Sequence, residues 1–174
     1  SSDWPGWTLT DLSNKTGQLL VVGRDQTYVL QAFPANTGNS VFKPGEEGYL
    51  LFAAANDKEL PPGKVARGAK RPNLAEVKLA TWLDWVPIRV QGMVLAGQTL
   101  FVAGPPDTAS PSDPMAAFEG RQGGVLRAYS SANGKQLAER KLDAPPVLDG
   151  LIAAAGCLFL STTDGRLVCL SDAG

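Results

Sequence analysis

Asp107, Asp113 and Glu119 are the acidic side chains of one long proline-punctuated stretch, "GPPDTASPSDPMAAFEGRQG" (Gly104–Gly123). Carboxylates gathered by a single loop are hard oxygen donors of the kind calcium takes. Their spacing does not fit an EF-hand, and Pro105, Pro106, Pro111 and Pro114 favour a stiff surface excursion, so a solvated loop is the plainer expectation. Long loops carry function more often than short ones, which makes Pro105–Gln122 the leading place for a ligand. The other candidates are aromatic. Trp4 and Trp7 form one close pair and Trp82 and Trp85 another. Such rings can stack on sugars, although core packing is the commoner use. Asp107, Asp113, Glu119, Trp4 and Trp7 are therefore the candidate ligand-binding residues. No catalytic or metal-ligating residue is assigned.

The absences are more decisive. The 174-residue chain has no histidine. That removes Ser-His-Asp and Cys-His catalysis and every zinc site that needs imidazole. Two cysteines cannot supply four thiolates. The net charge of −1 gives no basic face for nucleic acid or anionic membrane. The densest basic stretch, "KVARGAKRP" (Lys64–Pro72), has no interleaved aromatics and reads as a solvated loop. "EGRQGG" (Glu119–Gly124) lacks the Lys-Ser/Thr of a phosphate loop. No apolar run reaches the roughly 18 residues of a membrane span. The start, "SSDWPGW", carries no secretory signal.

These residues must be positioned by strands. The 19 glycines and 13 prolines punctuate short apolar runs, the pattern of an all-β chain. The runs predict strands over 18–23, 27–33, 49–54, 79–85, 88–95, 99–103, 124–130, 136–142, 151–154, 157–161 and 166–170. Short helical turns are expected at Asn73–Lys78 and Met115–Glu119. A repeat organises the strands. "QGMVLAGQTLFVAG" (Gln91–Gly104) aligns with "DGLIAAAGCLFLST" (Asp149–Thr162), setting Gly92 with Gly150, Leu100 with Leu158 and Phe101 with Phe159. "GVLRAYS" (Gly124–Ser130) aligns with "GRLVCLS" (Gly165–Ser171). A fainter copy upstream sets Gln26-Thr27 over Gln98-Thr99 and "GYLLFAA" (Gly48–Ala54) over "GVLRAYS". Repeated meanders of short strands separated by variable loops are the signature of propeller blades.

The same alignment bears on the cysteines. A two-residue turn at Asp164-Gly165 would set Leu160 opposite Cys169 and put Cys157 on the other face. One further loop residue would make the cysteines diagonal neighbours. In neither case is a disulfide expected, and two small packed hydrophobes are the simpler reading.

The stretch "LRAYSSANGKQLAERKLDAPPVLDGLIAAAGCLFLSTTDGRLVCL" (Leu126–Leu170) resembles the pyrroloquinoline-quinone-type repeat of quinoprotein-like β-propellers. Ala128, Gly134, Lys135, Gly156, Leu158, Thr162, Asp164, Gly165, Leu167 and Leu170 match the pattern, while Ser130 and Asn133 depart from it. The resemblance covers Met93–Leu170. It implies about three four-stranded antiparallel blades in one domain, over 17–86, 87–143 and 144–171, as a partial propeller or one completed by association. The family's docking tryptophan would fall near Ala138, which cannot serve. The calcium ligands, catalytic aspartate and vicinal cysteines of quinoprotein dehydrogenases cannot be placed.

The resemblance thus implies a fold without quinone chemistry and with no cofactor. The expected function is a non-catalytic binding or scaffold module that presents loops to a protein or small ligand. The alternatives are part of a quinone- or calcium-dependent oxidoreductase, or a carbohydrate-binding module. The expected partners are further blades of a longer bacterial protein or another protein surface, with self-association through open blade edges as a further route. Neither nucleic acid nor a membrane span is expected. A periplasmic or extracellular parent is expected.

Overall fold

A computed structural model describes residues 17–32, 48–58 and 80–171. Among them there are eleven strands and no helix. The strands are β1 (Leu19–Val22), β2 (Gln26–Ala32), β3 (Tyr49–Ala55), β4 (Ala80–Trp85), β5 (Gly92–Ala96), β6 (Thr99–Gly104), β7 (Gly124–Ser130), β8 (Gln136–Leu142), β9 (Pro146–Ala154), β10 (Cys157–Thr162) and β11 (Leu167–Ser171). They form three antiparallel sheets, ordered β1-β2-β3-β4, β5-β6-β7-β8 and β11-β10-β9. Each sheet is a simple meander in which consecutive strands are antiparallel neighbours.

Each predicted apolar run holds one strand, and the differences have local causes. The run at 88–95 yields a strand only from Gly92, because Pro87–Arg89 pair instead with the start of the long loop. β9 begins at Pro146, well before Leu151, and its pairing with β10 shifts register between Leu160 and Thr162. At Met115–Glu119 there is only a hydrogen-bonded turn, with Glu119 N–H donating to Met115 C=O at 2.9 Å. The expected helical turn at Asn73–Lys78 lies outside the described residues. The β10–β11 turn is one residue longer than the two-residue expectation. Thr162 N–H donates to Arg166 C=O, and Gly165 takes a φ of 80°. Phe159, not Leu160, therefore faces Cys169.

The sheets stack face to face in chain order. Tyr28, Leu30, Leu51, Ala53 and Trp82 of the first sheet share a core with Leu100, Val102 and Tyr129 of the second. Ala103 and Leu126, on the opposite face of the second sheet, share another core with Leu151, Leu158 and Leu160 of the third. Alternation along a strand sends successive side chains to opposite faces. The second sheet is thus apolar on both sides, and burial of each leucine contributes about 1.5–3 kcal/mol. Gly92 permits the closest approach. A Cβ there would lie 2.7 Å from Leu151 Cβ, so β5 and β9 could not meet at this distance with any other residue.

The facewise equivalents of β2 and β3 in the second sheet differ by one residue from the sequence alignment of the upstream copy. Setting Gln26-Thr27 over Gln98-Thr99 pairs Tyr28 with Leu100. Yet Tyr28 faces the next sheet in the stack, whereas Leu100 faces the previous one. A one-residue slip exchanges the faces of a strand. The facewise match pairs Tyr28 with Phe101 and Ala53 with Ala128. Ala53 lies opposite Trp82 on β4, and Ala128 lies opposite Ala138 on β8. Trp82 thus occupies in the first sheet the position that Ala138 occupies in the second.

Candidate functional site

The loop that carries the predicted carboxylates is bound closely to the sheet. Its first residues pair with the segment before β5: Arg89 N–H donates to Pro105 C=O and Asp107 N–H to Pro87 C=O, both at 2.9 Å. That pairing lays Asp107 against Arg89, with Arg89 Nε 3.1 Å from Asp107 Oδ1. Both are buried, at 6% and 2% exposure. The Phe118 ring covers the pair from outside, its centroid 5.4 Å from the Arg89 guanidinium carbon. Burial raises the pKa of the nearby Tyr49 phenol, the Arg89 charge opposes that rise, and the Asp107 charge adds to it.

Asp113 and Glu119 lie apart from this pair. Both meet the Arg121 guanidinium on the exposed side of the loop, with Asp113 accepting at 2.7 and 2.8 Å. That hydrogen bond holds the Asp113 carboxyl below its ordinary range. The three candidate carboxylates are therefore not brought together. One neutralises a buried arginine and two share an exposed one. Among the described residues no group of three or more cysteine, aspartate or glutamate side chains is placed to hold a metal ion. Trp4 and Trp7 lie outside the described residues. Arg89 has no counterpart in the sequence reading, because it sits inside an apolar run, "VPIRV", that reads as strand core.

Trp82 and Trp85 take structural places. Trp82 is buried, its Nε1–H donates to Ser131 C=O at 2.9 Å, and its ring lies 6.1 Å from that of Tyr28. Trp85 is half-buried and packs on the face of the first sheet that points away from the second. Cys157 and Cys169 are free thiols. The register pairs Cys157 with Ser171 and Phe159 with Cys169, making the cysteines diagonal neighbours on one face. Desolvation and a hydrogen bond with Cys157 that favours the protonated Cys169 thiol raise its pKa above the ordinary value.

The concave surface lies elsewhere, between the second and third sheets. A cavity of about 510 Å³ opens at one end, lined by Leu95, Thr99 and Phe101 on β5 and β6 and by residues 153–158 around the β9–β10 turn, and it reaches the seam between β8 and β11 at Arg140, Leu170 and Ser171. A second, of about 140 Å³, continues along the seam past Lys141 and Leu142 on one side and Val168 and Arg166 on the other. Arg140 and Leu170 line both. The seam exists because the second sheet has four strands and the third has three among the described residues. β8 therefore overhangs β11 by one strand's width. An apolar floor beside a few polar groups is the usual form of a binding site.

No protein-family model matches this chain, and no curated protein does. No helix among the described residues is long and apolar enough to cross a membrane.

Proposed function

We propose that this chain is a run of blades from a quinoprotein-like β-propeller, acting as a non-catalytic binding or scaffold module. The observation that carries the reading is the seat of Trp82. It stands at the facewise equivalent of Ala138, where the resemblance would place a docking tryptophan. It reaches from one sheet to the turn of the next. Its indole binds Ser131 C=O, and a Cβ on Gly134 would lie only 2.4 Å from its ring. Gly134 belongs to the "ANGK" turn that carries the resemblance.

A second feature supports the same reading. Val94, Phe101 and Leu126 pack the second sheet onto the third. Their repeat equivalents Ile152, Phe159 and Leu167 share the opposite face of the third sheet, where Ile152 is 58% and Leu167 69% exposed. The outer face is thus built as a stacking face, suited to a further blade. The non-catalytic reading draws on the absence of histidine and on the pairing of the three loop carboxylates Asp107, Asp113 and Glu119 with arginines.

Two measurements test the proposal. Stacked repeats open in units, because each sheet contacts only its neighbours. In Trp82→Phe, which loses the indole donor but keeps a ring, amide hydrogen exchange should quicken across β1–β4 and stay unchanged in β9–β11. Uniform quickening would refute stacked blades. Titration with pyrroloquinoline quinone and calcium should show no stoichiometric binding. A bound equivalent would instead favour the oxidoreductase alternative.

A further inference from the structure

The seam beside β11 has a shape, a hydrogen-bonding edge and a charge that together describe an occupant. Hydrogen-bonded and non-hydrogen-bonded rungs alternate along an antiparallel ladder. The rung at Thr162–Arg166 is hydrogen-bonded. The rungs at Leu160–Val168 and Leu158–Leu170 follow as hydrogen-bonded too. Leu167, Cys169 and Ser171 therefore aim their N–H and C=O groups out of the sheet, along the edge of β11 that no described strand pairs with. All three residues are exposed. An edge of unpaired backbone groups is a template for another strand.

The slot beside that edge is one strand wide and roofed by β8, whose residues 136–141 are all exposed. The smaller cavity runs along β11 over Leu160 and Val168 and meets the larger at Arg140 and Leu170, where Leu126 extends the apolar floor. Arg140 lines both cavities and, like Lys141, has no ion-pair partner among the described residues. A second copy of the chain fits poorly. Pairing two β11 edges antiparallel would bring the partner's overhanging strand onto the place of β7.

We propose that the seam is a strand-addition site. An extended segment of another polypeptide pairs antiparallel with β11, becoming the fourth strand of the third sheet. Alternate side chains enter the slot, apolar over the leucine floor and acidic beside Arg140. Backbone hydrogen bonds supply affinity in this mode and the alternate side chains supply specificity. The inference names the partner class for the binding module proposed above but draws on neither Trp82 nor the stacking face. The Trp82→Phe exchange test and the peptide test below can therefore fail separately.

The probe is a capped synthetic peptide of seven residues, with four threonines on one face and valine, glutamate and valine on the other. At millimolar concentration it should slow exchange of the Leu167, Cys169 and Ser171 amides by about tenfold or more. A peptide N-methylated at its pairing amides should have no effect. Arg140→Glu, an exposed substitution, should weaken the glutamate peptide by roughly tenfold and favour its lysine counterpart. Any of three results would overturn the proposal: no slowing with any peptide, slowing indifferent to N-methylation, or concentration-dependent slowing without peptide. The last would show the edge occupied by a second copy.

Discussion

Asp107 offers the sharpest test of how the long loop is held. Both members of the Arg89–Asp107 pair are almost wholly buried, so removing one partner takes from the other the counter-charge that offsets its desolvation. The cost of breaking such a pair is about 3–5 kcal/mol, whereas replacing both members by apolar residues is often neutral or stabilising. Asp107→Asn and Arg89→Met are each expected to destabilise the protein by about 3–5 kcal/mol. Against a native stability of roughly 5–15 kcal/mol, that lowers the urea midpoint by about 2 M. The double variant Arg89→Met/Asp107→Leu should recover most of the loss. Tyr49 reports independently by its ultraviolet titration. Its hydroxyl should titrate at higher pH in Arg89→Met, where the opposing cation is gone, and at lower pH in Asp107→Asn. Denaturation curves for the four proteins settle the matter. If Asp107→Asn stayed within about 0.5 kcal/mol of the parent, Asp107 would be a solvated side chain available to a ligand. If the double variant were as unstable as the two singles combined, the pairing would not be the source of the loss.

Three further outcomes follow from the same geometry. Gly134→Ala should cost roughly 2–4 kcal/mol, because its φ of 70° disfavours a side chain and the new methyl would strike Trp82. Gly97→Ala, at a φ of 58° with nothing nearby, should cost only about 1–2 kcal/mol; thermal melts compare the two. The Asp113 carboxyl has a folded pKa below its unfolded value of 3.8. Its contribution is therefore complete above the unfolded value and is lost as pH falls through the lower folded one. NMR titration should find it returning toward the ordinary range in Arg121→Gln. Alkylation of Cys169 should follow a pH profile displaced above that of an ordinary thiol, and Cys157→Ser should move the profile back.

The strands were legible because each is a short apolar run bounded by turn residues. Residues 100–103 in β6 and 157–160 in β10 are continuous apolar runs, as suits strands with neighbours on both faces, and glycine, asparagine and aspartate mark where the chain must turn. Parity was less legible. The β1–β2 connection runs from Val22 to Thr27, while β5–β6 turns between Ala96 and Thr99. An alignment that matches residue types across these unequal turns slips by one and exchanges the faces of β2. The β10–β11 turn hides its length in the same way. Thr162 Oγ1 donates to Asp164 Oδ1 at 2.5 Å, and this local hydrogen bond favours the three-residue loop over an Asp-Gly pair.

The candidate sites were less legible than the fold, for a reason that lies in what forms them. Asp107 and Asp113 look alike in the sequence, six positions apart in one loop. Their difference comes from Arg89, which the apolar run before β5 carries underneath that loop. The seam depends still less on any particular residue, because it is the space left where a four-stranded sheet faces a three-stranded one. Only β8 hints at it. "QLAERKL" (Gln136–Leu142) carries Glu139, Arg140 and Lys141 in succession, and a strand covered on both faces could not bury three charges without partners. A strand so charged must lie at an edge with an open side. That inference leads from the composition of β8 to the groove beside β11, where Arg140, paired with no described carboxylate, favours an acidic side chain at its own position.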